Sequence, residues 1–391
     1  MLNLVYASFK IIFGITFLAI ALIVASVEAA DFPGRRSLEE LGRTLFFDTN
    51  LSKHRTQSCA TCHSPDHAFI DPRINASGRA VSLGDDGRSL RDRNTPTLSY
   101  SAFSPSFTLN EEGVYVGGQF LDGRAKDLVE QATQPILSVS EMGMPSEESV
   151  VQRVKENPLY VKKFTQHFGE RVFYNTDQAF HALAESIAVF EKTEEFAPFD
   201  SKSDRHLRGE YEMTNAEELG MTLFFSQQFT SCNICHQLKP IPSQEGETFT
   251  NYQYHNIGVP VNLKARKVNG VAADHVDQGL LDHPMINDMK QAGKFKVPTL
   301  RNVAVTAPYM HNGVFEELRT VILFYNKYNS KSKKRQINPE TSEPWRAPEV
   351  PENLSLEELQ TGPALDDRRI NALLAFLKTL TDKRYEYLLE D

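Results

Sequence analysis

A mainly α-helical fold built from two tandem domains of one kind is predicted by three features of this 391-residue chain. The string Cys-x-x-Cys-His occurs twice, as Cys59–His63 and Cys232–His236. An eleven-residue segment precedes each copy in similar form, Ser37–Phe47 and Asn215–Phe225, which marks a large internal repeat. Each half then closes on apolar residues at helical period: Ala179, Leu183, Ile187 and Phe190 in one, Ile370, Leu373, Leu374 and Leu377 in the other.

Taken in order, Lys10 is followed by an apolar run from Ile11 to Val27 that ends in small residues at Ala29 and Ala30. The run reads as a secretory signal occupying residues 1–30, cleaved near Ala29 or Ala30. At 17 residues it sits at the short limit for spanning a bilayer, which leaves a retained membrane anchor as the alternative. Both repeated segments carry helix-cap signals, Ser37 with Glu40 and Asn215 with Glu218, then a short helix and a Leu-Phe-Phe segment placed to lie against a cofactor face. Pro198 and the polar run Asp200 to Glu210 mark a boundary near 198–212, dividing domains at 31–200 and 201–391. The remaining roughly 360 residues suffice for two domains with cores of their own. A net charge of -9 argues against a nucleic-acid footprint, and no Lys/Arg-rich stretch reads as an anionic-lipid site.

An exported protein normally uses its cysteines for disulfides, yet all four here fall in the two strings. Cys-x-x-Cys-His is the attachment signature of c-type haem: Cys59 and Cys62, and Cys232 and Cys235, add to the vinyl groups. His63 and His236 are thereby delivered to iron as proximal ligands. Zinc ribbons pair their units about 15 to 20 residues apart. These lie 173 positions apart (59 to 232), and no cysteine is left over. The two domains are therefore expected to be cytochrome c-like, each with one covalently bound haem.

Function then turns on the sixth ligands, because a haem closed on both sides moves electrons while one with an open side reacts with peroxide or dioxygen. No histidine occurs between His67 and His167, and His67 is too close to His63 to reach the opposite face. The first haem is thus expected to be open unless a histidine of the second half reaches across. Cleaving peroxide needs a group that removes one proton and returns it to the leaving oxygen. Glu141 is the candidate, with Gln131 holding water or peroxide nearby.

The strings Ser58–His63, Arg93–Thr97, Asp122–Arg124, Pro135–Glu141, Val297–Asn302 and Thr306–Gly313 together resemble the bacterial dihaem cytochrome c peroxidase and MauG family over nearly all of the mature chain. The peroxidases of that family usually ligate the second haem with Met, and MauG-like members with Tyr. Here Tyr325 stands at the family's ligand position, in the helix after the His311-Asn312-Gly313 turn, so the resemblance favours Tyr325 over Met310. It also implies a distal pocket of Gln131, Pro135 and Glu141, with Arg124 beside the haem. A calcium ion between the haems is implied as well, held by the Asn94 side chain and the Thr306 and Pro308 carbonyls, hard oxygen donors suited to it.

One departure concerns the route between haems, where family members carry Trp and this chain carries Leu121. Its single tryptophan, Trp345, lies in a Pro-rich segment and reads as a loop anchor. The functional expectation is a periplasmic enzyme that uses hydrogen peroxide at the first haem to oxidise a partner protein, as MauG-like enzymes modify a partner's Trp. The alternatives are a detoxifying peroxidase fed by a small cytochrome or copper protein, and a non-enzymatic dihaem electron carrier.

Overall fold

The computed structural model describes residues 33–238, 246–272 and 274–389; the expected signal at 1–30 lies outside them. Helices dominate, and strand among the described residues is confined to three two-stranded antiparallel ribbons: β1 Thr108–Leu109 with β2 Tyr115–Val116, β3 Tyr254–His255 with β4 Phe295–Lys296, and β5 Ile337–Asn338 with β6 Glu343–Pro344. The first half runs α1 (Pro33–Phe46), α2 (Cys59–Cys62), α3 (Leu128–Leu137), α4 (Glu147–Lys155), α5 (Pro158–Phe168) and α6 (Thr176–Phe190). The second follows with α7 (Lys202–Leu207), α8 (Asn215–Phe225), α9 (Cys232–Cys235), α10 (Leu263–Arg266), α11 (Leu318–Asn326), α12 (Leu356–Leu359) and α13 (Asp367–Lys378).

The helical patterns read from sequence are α6 and α13, whose apolar faces are buried apart from half-buried Leu374. Each crosses the helix that precedes its Cys string, and glycine lets the backbones touch. A Cβ on Gly42 of α1 would stand 1.9 Å from Ser186 O of α6, and one on Gly220 of α8 would stand 1.9 Å from Ala372 O of α13. The two crossings seed two apolar cores, one drawn from residues 41–196 and one from 223–380.

The caps differ from expectation. The second repeat's capping box closes one residue early, on Thr214 and Glu217, because Glu217 accepts from Thr214 N and Oγ1 while Tyr211 OH also donates to it. Ser37 does not cap α1 but lies inside it, with its hydroxyl bonded to Lys163 Nζ and His167 of α5. The Leu-Phe-Phe segments mostly build cores: Phe46 packs edge-on against Phe69, Phe190 and Phe196.

A second repeat, unread in the sequence, ties the halves together. Thr97 Oγ1 donates to Ala68 O and Thr299 Oγ1 to Thr248 O, each within a Pro-Thr-Leu triplet. The residues three further on, Tyr100 and Asn302, both take positive φ, and both donate to buried Asp382, at 2.5 and 2.8 Å. The polar run after Pro198 is no loose connection, because Asp204 of α7 forms a bidentate ion pair with Arg301, which is 1% exposed.

Candidate active site

Both Cys strings fold as one-turn helices whose C-cap is the histidine. His63 Nδ1 lies 3.1 Å from Phe69 O and His236 Nδ1 2.9 Å from Phe249 O. A ring nitrogen donating to a carbonyl fixes the tautomer and leaves Nε2 as the ligating atom. Burial lowers both pKa values, His236 to about 4, so the imidazoles are neutral, as metal ligation requires. All four cysteines are free, and burial pushes their thiols up. Two thiols and a neutral imidazole of fixed tautomer, opening on apolar walls, suit one covalently attached haem at each string.

Both strings open on one continuous cavity of about 910 Å³, at the upper end of the range for cofactor pockets. On the side of the first string it is lined by Gln131 and Pro135 of α3, then Glu141, Arg124 and Leu121. Asp127 starts α3 by accepting from the amides of Val129 and Glu130. After Pro135 the chain turns back, with Met142 N donating to Pro135 O at 3.1 Å, which returns Glu141 to the cavity wall. There Glu141 is 3.6 Å from Arg91, itself held by the Ser138 and Ser140 hydroxyls at 3.1 and 3.0 Å. Arg124 bonds Asp122 and Gln134 and covers the Phe120 ring at 3.6 Å.

Around the second string the cavity is lined by Tyr325 of α11, Met310 and Phe224. Burial first, then Cys235 and Cys232, raise the Tyr325 phenol. Asn94 and Pro308 share a small recess with Asp71, and Thr306 lines the main cavity. The Asn94 amide donates to Ala80 O at 2.9 Å.

A family model described as di-haem cytochrome c peroxidase matches residues 36–212. The methylamine utilization protein MauG of Paracoccus denitrificans is 54% identical over 374 residues, covering 96% of each chain. The chain belongs to the di-haem cytochrome c peroxidase/MauG family. Cytochrome c551 peroxidase of Nitrosomonas europaea is 30% identical over 72% of this chain and 70% of its own. The crystal structure of the diheme peroxidase BthA from Burkholderia thailandensis covers 89% of this chain and 86% of that one, with TM-score 0.77 and 30% identity.

Membership makes this chain a haem-dependent oxidoreductase of the dihaem cytochrome c peroxidase/MauG type. Other residues on the cavity wall were given no role in the sequence reading. Arg93 bridges Asp122 and Asp277, which burial alone would raise but the guanidinium holds low. Phe295 stacks on His311 at 3.7 Å between centroids, beside the backbone bond from Lys296 N to Leu121 O. Lys296 is half-buried with its ammonium on Gly118 O, and desolvation lowers it to about 7. The Arg91-Asp92-Arg93 triplet was the one available signal, since adjacent charges on a cavity wall demand partners. Trp345 is half-buried, donating to Arg335 O at 2.9 Å and packed edge-on against Phe315 and Phe324. Among the described residues no helix is long and apolar enough to cross a membrane.

Proposed function

We propose that this family member is a MauG-like periplasmic oxidase that uses hydrogen peroxide to withdraw electrons from a partner protein, with modification of a partner Trp as the outcome. Tyr325 carries the reading. It lines the cavity beside Cys232 and Cys235, where a phenolate is an attested iron ligand. The 54% identity to the Paracoccus methylamine utilization protein supports the same branch. The signal-like segment at 1–30 supports the periplasm.

Bound haem supplies a redox-active iron at each string, the one chemistry that no side chain provides. The chain's own residues manage protons and geometry. Glu141 takes the proton from the near oxygen of peroxide and returns it to the departing oxygen. Gln131 orients peroxide, and Pro135 shapes the wall beside it. Arg91 holds Glu141 through the Ser138 and Ser140 anchors until peroxide competes for the carboxylate. One peroxide, two electrons and two protons yield two waters, and the electrons come from the partner. His236 and Tyr325 would hold the haem at the second string, residues 31–200 and 201–391 would form the two cytochrome c-like domains, and Asn94, Thr306 and Pro308 would hold calcium between the haems.

Tyr325→Phe tests the ligand. The second haem's low-spin spectrum should be lost, and an unaltered spectrum refutes the assignment. Sustained turnover of reduced cytochrome c with peroxide by the wild-type protein would instead favour the detoxifying reading.

A further inference from the structure

The two halves match closely at one helix crossing, and one position breaks the match. Gly42 meets Ser186 O and Phe190 Cβ, while Gly220 meets Ala372 O and Phe376 Cβ. In that register Phe190 corresponds to Phe376, and Lys192-Thr193 to Lys378-Thr379. Between them Glu191 stands where the second half has Leu377. Both residues line the cavity, and both are buried, at 2% and 7% exposure. Leu377 shows that an apolar side chain satisfies this position as far as packing goes.

Glu191 instead places a carboxyl there, and its Oε2 is buried without a hydrogen-bond partner. An unpaired buried acid is costly, so it keeps its proton rather than its charge. It is also the foremost charged group acting on Cys59, the first attachment thiol. We propose that Glu191 is a proton-binding site coupled to the charge on the first haem, resting on the assignment of that haem to Cys59–His63. Once the pH is high enough for the oxidised haem to draw that proton off, an arriving electron brings a proton back to the carboxylate, and when the electron leaves the proton departs into the cavity.

The surroundings leave the coupling to the haem. Among the described residues Lys192, the next one along, is the one charge acting on Glu191, and burial pushes the carboxyl up to about 8 against it. On α1, Arg43 is engaged by Glu195 and the Phe47 ring. On α3, Glu130 bonds the Lys126 amide. On α4, Arg153 binds carbonyls of residues 50–53 and Lys155 covers Phe173, with Glu148 exposed and Glu147 half-buried in the first turn. Glu141 acts on Cys59, Cys62 and His63, and Glu191 is not among the charges acting on His63.

The test is a redox titration of both haems in the holoprotein from about pH 6 to 10, in wild type, E191Q and E191L. The first haem's midpoint should fall with rising pH, approaching about 59 mV per tenfold change in proton concentration. E191Q should lose that slope, E191L should lose it as well, and the second haem should respond identically in all three. Should E191L fold poorly, E191Q decides. A slope that survives in E191Q, or is absent from wild type, with both haems present by pyridine haemochrome assay, overturns the Glu191 proposal alone. Protein lacking a peroxide-reactive first haem overturns it together with the reading beneath it.

Discussion

Replacing Gly42 with alanine should destabilise the first half, although alanine is the better helix former. The added Cβ would stand 1.9 Å from Ser186 O, whereas ordinary contact begins at 3.4 Å, so α1 and α6 must part by about 1.5 Å. The obstacle is backbone and cannot rotate away. Overpacking of this kind costs about 1–3 kcal/mol, against roughly 1 kcal/mol gained in helix propensity. Because Leu183, Ile187 and Phe190 lose close packing as α6 moves out, a net loss of about 1 kcal/mol is expected. Gly220→Ala should lose a similar amount, its Cβ lying 1.9 Å from Ala372 O. Gly34→Ala, on the same helix as Gly42 with nothing within 4 Å, is the control and should be neutral or slightly stabilising. Guanidinium unfolding of the holoproteins followed by circular dichroism measures all three. If Gly42→Ala proves as stable as Gly34→Ala, the crossing is not held by backbone contact and the reasoning fails.

Glu141→Gln should slow the reaction with peroxide by about 10²–10⁴-fold in stopped-flow mixing while leaving the resting spectra of both haems in place. Arg301→Met should cost about 3–5 kcal/mol in urea unfolding, since Asp204 is then buried without its partner, and adding Asp204→Leu should recover much of the loss. Burial raises Asp382 from 3.8 to about 6. The folded state therefore binds more protons than the unfolded one between those values, and this contribution to stability is lost as pH rises through 6. Asp382→Asn should flatten the stability profile between pH 4 and 6 relative to wild type, and an unchanged slope there would count against the raised carboxyl.

Much of this protein is local, and most of what is local was legible. Haem attachment needs two thiols and an imidazole within five consecutive residues, and Cys59–His63 and Cys232–His236 present that pattern without reference to a fold. Amphipathic period likewise declares α6 and α13. The caps were misread by a residue or more because Thr214 and Asn215 are both good cap residues, and only the Glu217 carboxylate chooses between them.

Contacts across long stretches of chain were decided by packing alone. Nothing near Glu141 in the sequence announces Arg91, and Tyr100 meets Asn302 only because both reach Asp382. Glu191 reads as one more acid at a helix end until the crossing at Gly42 turns it into the cavity opposite the role that Leu377 plays in the other half. The residues themselves determine which bonds and helices are available, since those depend on a handful of neighbours. Which side chains end up desolvated and paired around one shared cavity depends on how helices from both halves close together, and that was set by tertiary structure.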